Sequence, residues 1–263
     1  MSAVPSSLEI FDKKRIAPIR ANANFVDFPV ALISDWNGIA GPEICHALAS
    51  CEFSLLINGP QDEIMEMLHE DFSGKILAMP FDYHSEDAVE MMMSASLDIF
   101  GHVDVLVNNI FHWQGARFND LSDKDFLETF NHNVMGSFHV CRAASRLMEA
   151  LGYGKIINVT TTSAMSGAHT AVAASSAGLH SLTRSIAREL GPYVRANTVA
   201  CGLLEEAWVA EGGEELRKSL TSSIPLKRLC QGADVAELVA FLATGADFMS
   251  GQMLILDGGE TIR

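Results

Sequence analysis

Along most of the chain, short, mainly apolar runs alternate with longer stretches in which apolar residues recur every three or four positions. The runs fall at Val30–Ile33, Phe53–Ile57, Lys75–Met79, Val103–Val107, Lys155–Val159, Arg195–Val199 and Met253–Leu256. Helical spacing falls at Glu43–Ser50, Gln61–His69, Ser85–Phe100, Asp123–Leu151 and Ala173–Leu190. A strand that is apolar on both sides must be covered on both sides. The alternation therefore predicts a parallel sheet between two helical layers. The expected architecture is a single-domain, doubly wound α/β fold with seven parallel strands, helices on both faces and right-handed crossovers.

Residues 1–28 do not share this pattern. They mix Asp12, Lys13, Lys14 and Arg15 with Ile10, Phe11, Ile16 and Ile19. They read as an N-terminal arm, either a tail or a segment that packs on a partner subunit, ahead of a domain over 29–263. No internal repeat or low-complexity stretch follows.

The 263 residues are 48 % hydrophobic and 19 % charged, enough for one large core. No apolar run reaches the roughly 18 residues of a membrane span, and Met1–Leu8 lacks the pattern of a secretory signal. Five scattered cysteines without a CxxC pair point to reduced thiols and a cytoplasmic setting. The net charge of −15 argues against nucleic acid and anionic membranes, which need basic patches.

Several segments carry a family resemblance. Phe100–Asn109 contains a strand ending in Asn-Asn, Asn133–Gly136 reads Asn-x-x-Gly, and Gly154–Val159 is a further strand. Ala174–Arg184, Pro225–Leu229 with Asp234–Ala236, and Ser250–Gln252 with Asp257–Gly259 follow in order. Together they resemble the short-chain dehydrogenase/reductase family over about Val30 to Gly259. The resemblance implies a Rossmann-like fold, an NAD-dependent alcohol–carbonyl interconversion, and a catalytic tetrad of Asn, Ser, Tyr and Lys.

That tetrad is largely missing. In the family, tyrosine exchanges a proton with the substrate oxygen, and a lysine four residues on lowers its pKa and holds the cofactor ribose. That spacing puts both on one helical face. Ungapped alignment on Ala174–Gly178 puts Val172 at the tyrosine position and Ser176 at the lysine position. Thr161 takes the serine position and Asn133 alone is retained. The conclusion does not depend on register: Tyr83, Tyr153 and Tyr193 all lie off the helix, and 156–194 contains no lysine. Arg184 lies two turns beyond the lysine position and reads as a surface residue.

The cofactor loop is altered as well. Family members open the first βα turn with three glycines, so that the backbone can approach the diphosphate at a helix N-terminus. Here Ser34 is followed by Asp35 for the first glycine, Ile39 for the second and Gly41 for the third. A carboxylate about 5 Å from a phosphate charge costs on the order of 3 kcal/mol at an effective dielectric near 20, about a hundredfold in affinity. Asn58-Gly59-Pro60 replaces the acidic end of the second strand, Cys201-Gly202 replaces Pro-Gly, and Glu206 stands where a threonine meets the nicotinamide. Asp82 keeps an adenine-contact position but suits an ordinary turn equally.

Other clusters carry less. His132 and His139 lack metal spacing, so no metal is expected. Met91–Met93 reads as core filler, and Cys201 has no paired histidine to make it a nucleophile. The resemblance implies that the long helices Asp123–Leu151 and Ala173–Leu190 pair between subunits. With scaffold kept and site lost, the expectation is a non-catalytic subunit of a hetero-oligomer, a tetramer, with no cofactor of its own. Its partner would be a catalytic homologue that holds NAD. Heteromeric members that oxidise a hydroxyacyl-CoA in anaerobic aromatic degradation have such a subunit. Two alternatives stand beside it: a non-redox enzyme of the halohydrin dehalogenase kind, which keeps Ser and Tyr-x-x-x-Arg, and a small-molecule-binding module.

Overall fold

The computed structural model describes residues 28–68 and 74–262, with backbone only for 206–213. All of the N-terminal arm but its last residue, Phe28, therefore lies outside the described residues, as does the predicted helix end at His69. Seven strands form one parallel sheet: β1 (Val30–Ile33), β2 (Ser54–Ile57), β3 (Ile76–Ala78), β4 (Val105–Asn108), β5 (Gly154–Thr161), β6 (Val194–Cys201) and β7 (Met253–Leu256). Their order is β3-β2-β1-β4-β5-β6-β7, with all neighbouring strands parallel among the described residues. The chain reverses direction of winding between β1 and β4, and ligands of such sheets sit at that switch, beyond the carboxyl ends of the strands.

The pleat divides each strand between two cores. Ala31 and Ile33 join one buried cluster while Val30 and Leu32 join the other. The first cluster is closed by α1 (Gly41–Ser50) through Ile44, Cys45 and Leu48, by α2 (Gln61–Leu68), and by α9 (Gly232–Thr244) through Val235, Val239 and Leu242. The second is closed by α3 (Glu86–Phe100) through Val89, Met92 and Phe100, and by α5 (Ser137–Leu151) through Val140, Ala144 and Met148. Met91 departs from the core-filler expectation: it is 65 % exposed, while Met92 and Met93 are buried. A helix cannot bury three consecutive residues on one face.

Helix ends follow local chemistry. Ser85 Oγ accepts from the Ala88 amide to start α3, and Ser122 Oγ accepts from Asp125 to start α4 (Asp123–Phe130). The predicted helix Asp123–Leu151 is divided by a π-helical stretch, Asn131–Gly136, between α4 and α5. A short α6 (Ser163–Ser166) precedes α7 (Thr170–Glu189), and α8 (Glu205–Ser222) follows β6. Helices α8 and α9 extend the sequence-based assignment, which gave Glu205–Ser222 and Gly232–Thr244 no helix.

Candidate functional site

The first βα turn is tied down by its own neighbours. The amide of Asp35 donates to Asn109 Oδ1, Trp36 to Asn58 O, Asn37 to Asp35 Oδ1, and Ile39 to Asn109 O. Those of Gly38 and Gly41 donate within the turn. Asn109 Nδ2 donates to the carbonyls of Asp35 and Ile39, and the Asn109 amide donates to Ser34 Oγ. Amides spent in this way are not offered to an anion, which is what such a turn supplies in nucleotide-binding folds. Two glycines keep a close-approach role: a Cβ at Gly38 would lie 2.1 Å from Asn109 O, and one at Gly41 2.1 Å from Trp36 O.

The side chains of the turn point away from nucleotide chemistry. Ile39 is buried and packs in the first core cluster. Trp36 is 2 % exposed and lies over Gly59 at the end of β2, so that a Cβ on Gly59 would sit 2.5 Å from Trp36 Cβ. Its Nε1 donates to Glu63 Oε1 at 3.1 Å. Asn58, at the position expected to hold ribose, instead donates from Nδ2 to Ser34 O and accepts from the Phe81 amide. Burial pushes the Asp35 carboxyl above the ordinary carboxylate range, and the Asn37 amide opposes that shift.

The tetrad positions come together, but their chemistry is that of a core. Val172 is fully buried. Ser176 is 1 % exposed, and its Oγ accepts from Thr160 Oγ1 at 2.9 Å and lies 3.3 Å from Thr161 Oγ1. Asn133, in the π-helical stretch, accepts from the His112 amide at 2.6 Å and donates to His112 O and to Ser175 Oγ. It straps the loop after β4 to α7. None of the three tyrosines stands on α7. The Tyr83 hydroxyl lies 3.2 Å from His132 Nδ1, with its pKa pushed up to about 12 by burial, then by Asp35 and Asp82. Tyr153 lies under the Arg195 guanidinium, Tyr193 is half exposed, and Arg184 is exposed.

The remaining candidates settle by position. Cys201 is fully buried, donates to Thr160 O, and has its thiol pushed upward by burial. Asp82 accepts from the His84 amide, ordinary turn chemistry. The side chain of Glu206 lies outside the described residues. His132 stacks on His112 and meets His84 Nε2 at 3.2 Å, and His139 Nδ1 lies 3.1 Å from Tyr83 O. Among the described residues, no group of three or more His, Cys, Asp or Glu is placed to hold a metal, and no helix is long and apolar enough to cross a membrane.

Sequence reasoning missed one feature. Beyond the carboxyl ends of β5 and β6 lies a cavity of about 300 Å³, lined by Phe111, Trp113, Thr161, His169 and Glu260 among others. Trp113 and His169 are in ring contact at 4.3 Å between centroids. His169 precedes α7 with φ +59°, a left-handed conformation uncommon for a residue with a side chain. The only signal available was position: loops at the carboxyl ends of parallel strands carry ligand-facing residues.

Comparison with known proteins places the chain among oxidoreductases. A family model described as enoyl-(acyl carrier protein) reductase matches residues 35–261. L-rhamnose 1-dehydrogenase (NAD(P)(+)) of Azotobacter vinelandii is 36 % identical over 195 residues, 72 % of this chain and 76 % of that protein. The (2S)-[(R)-hydroxy(phenyl)methyl]succinyl-CoA dehydrogenase subunit BbsD of Thauera aromatica is 29 % identical over 239 residues, 89 % of this chain and 96 % of that protein. Among solved structures, ElxO with NADP bound superposes with a TM-score of 0.83 at 22 % identity, covering 90 % of this chain and all of that one, a likeness of fold. A short-chain dehydrogenase/reductase from Brucella melitensis superposes with a TM-score of 0.79 at 25 % identity, covering 90 % of this chain and 97 % of that one.

Proposed function

The chain belongs to the short-chain dehydrogenase/reductase family, and from that premise we propose that it is the non-catalytic subunit of a hetero-oligomeric, NAD-dependent alcohol dehydrogenase. One observation carries the reading. Where family enzymes place a proton donor and an ammonium, this chain has Val172 and Ser176, both in the core and with the serine hydroxyl already engaged. Neither can pass a proton to a substrate oxygen. The turn of Asp35 and Trp36 supports the same reading, because six of its amides, those of residues 35–39 and 41, are engaged within the protein and a carboxylate takes the place of the first glycine. Those residues do not fit a dinucleotide, and no catalytic step is derived through one.

In this proposal NAD is held by the partner, a homologue with an intact Tyr-x-x-x-Lys, and contact runs through α4, α5 and α7. Leu127 is 58 % exposed and Met135 40 % exposed on that face. Apolar side chains of that size on a helix face suit burial against another helix pair. The relative from Thauera aromatica suggests the substrate class, a hydroxyacyl-CoA of aromatic degradation, and the unit resembles the cofactor-less subunit of that heteromeric enzyme. A dehalogenase-like reading loses support from the same two positions, because it needs a tyrosine and a cation on α7.

Coexpression tests the proposal. The chain with an affinity tag is produced together with a homologue bearing the intact pair, and the complex is weighed by light scattering and assayed for NAD reduction. The expected result is a mixed oligomer whose turnover disappears when the partner's tyrosine alone is replaced. NAD-dependent turnover by this chain by itself would overturn the reading.

A further inference from the structure

We propose that the cavity beyond β5 and β6 binds a compact arylalkylamine, with Glu260 as the counter-ion of its ammonium group. The proposal stands whether or not the chain assembles with a partner. It begins from an unsatisfied atom. Glu260 Oε2 is buried and has no hydrogen-bond partner, although the Leu203 amide donates to the carboxyl group, and Oε2 lies 3.4 Å from where a Cβ on Gly202 would be. A buried acceptor without a donor costs free energy that a ligand donor would recover.

The surroundings select the sign of that ligand. Among the described residues, those lining the cavity include no lysine or arginine. Asp257, close enough to act on Glu260 by repulsion, is itself engaged by the hydroxyl and amide of Thr261. The Glu260 carboxyl is held above its ordinary range, first by burial and then by Asp257. His169 is held toward its neutral form by burial, so it adds an acceptor rather than a competing cation. An anionic ligand would meet Glu260 as a like charge, whereas an ammonium ion supplies the donor that Oε2 lacks.

The walls select the body. Phe111 and Trp113 have ring centroids 6.4 Å apart, and Trp113 continues to His169. A row of three rings beside a carboxylate suits an aromatic group carrying a cation, through stacking and cation–π attraction. A cavity of about 300 Å³ is at the small end of ligand pockets and admits a single fused ring with a short chain. Thr161, Thr162, Ser163 and Ser166 line the same cavity with hydroxyls that can accept from further ammonium protons.

Calorimetric titration of the full chain at pH 8 with three matched probes tests this: tryptamine, tryptophol and indole-3-propionate. Tryptamine is expected to bind at least tenfold more tightly than tryptophol, and indole-3-propionate not at all. Glu260→Gln should cost tryptamine at least tenfold and leave tryptophol unchanged. Tryptamine affinity should fall as pH is lowered through the raised Glu260 pKa, and that dependence should vanish in the variant. Trp113→Ala, at a residue 40 % exposed, should weaken both tryptamine and tryptophol and serves as a second test should Glu260→Gln fail to fold. Absence of tryptamine binding, equal affinity for the three probes, or undiminished binding in Glu260→Gln would each overturn the proposal.

Discussion

Trp36→Ala tests whether the first βα turn holds its shape by core packing. The indole is 2 % exposed and shares a buried cluster with Ile33, Ile57 and Ile64. Removing a buried aromatic of this size costs about 3–5 kcal/mol, through lost transfer free energy and the cavity left behind. The bond to Glu63 adds little, because that carboxylate is exposed and water replaces the indole N–H. For a chain of this length the loss corresponds to a fall in Tm of roughly 6–20 °C. Urea unfolding followed by circular dichroism measures it directly. Trp36→Phe keeps most of the volume and should cost only about 1–2 kcal/mol. A second substitution sharpens the test. Gly59→Ala places a methyl 2.5 Å from Trp36 Cβ, an atom that alanine keeps, and 3.0 Å from Ile64 Cδ1, so it should destabilise the parent protein and the Trp36→Ala background alike. A loss under about 1 kcal/mol for Trp36→Ala, or a Gly59→Ala variant as stable as the parent, would refute the packing argument.

Four further outcomes follow from the same structure. Asp35→Asn keeps an acceptor for the Asn37 amide and removes a buried charge; because the folded carboxyl titrates above its ordinary 3.8, ionisation costs stability at neutral pH, so the variant should melt higher at pH 7 and lose that advantage below the ordinary value. Val172→Tyr combined with Ser176→Lys should lower Tm and yield no NAD-dependent turnover by absorbance at 340 nm, since the ammonium enters a site 1 % exposed and the turn of Asp35 is unchanged. Asn133→Ala removes both side-chain partners of the His112 backbone and one of the two bonds of Ser175 Oγ, which still donates to Val172 O, and should cost about 2–4 kcal/mol in urea unfolding. Ellman's reagent on the native protein should label Cys51 first, because Cys45 and Cys201 are fully buried and burial pushes the Cys141 thiol up to about 12.

The fold was legible because strands buried on both faces leave a signature that needs no long-range knowledge: Val30–Ile33 and Ser54–Ile57 are apolar at nearly every position. The loss at the tetrad was legible by elimination, since three tyrosines and a lysine-free segment decide it in any register. Other features left no such trace. Nothing in Asn131–Gly136 distinguishes π from α geometry, because both place apolar residues on the same face over so short a span. The stretch around Glu205–Ser222 opens with Glu-Glu-Ala-Trp and contains Gly212 and Gly213, which blur its period. Phe111, Trp113, His169 and Glu260 lie up to 149 positions apart in the chain and meet only because parallel strands deliver their loops to one end of the sheet.

Asn109 has a wider consequence. Its amide group and carbonyl clasp the turn at Ser34, Asp35 and Ile39. A nucleotide-dependent protein gains folding free energy from its ligand, so its folded fraction follows the ligand's concentration. Here the latch is covalently part of the chain. On the proposed reading, amide hydrogen exchange over this turn is slow with or without dinucleotide, and cellular swings in NAD leave the subunit's abundance untouched. On that same proposal, such a scaffold would stay available to its partner when cofactor is scarce.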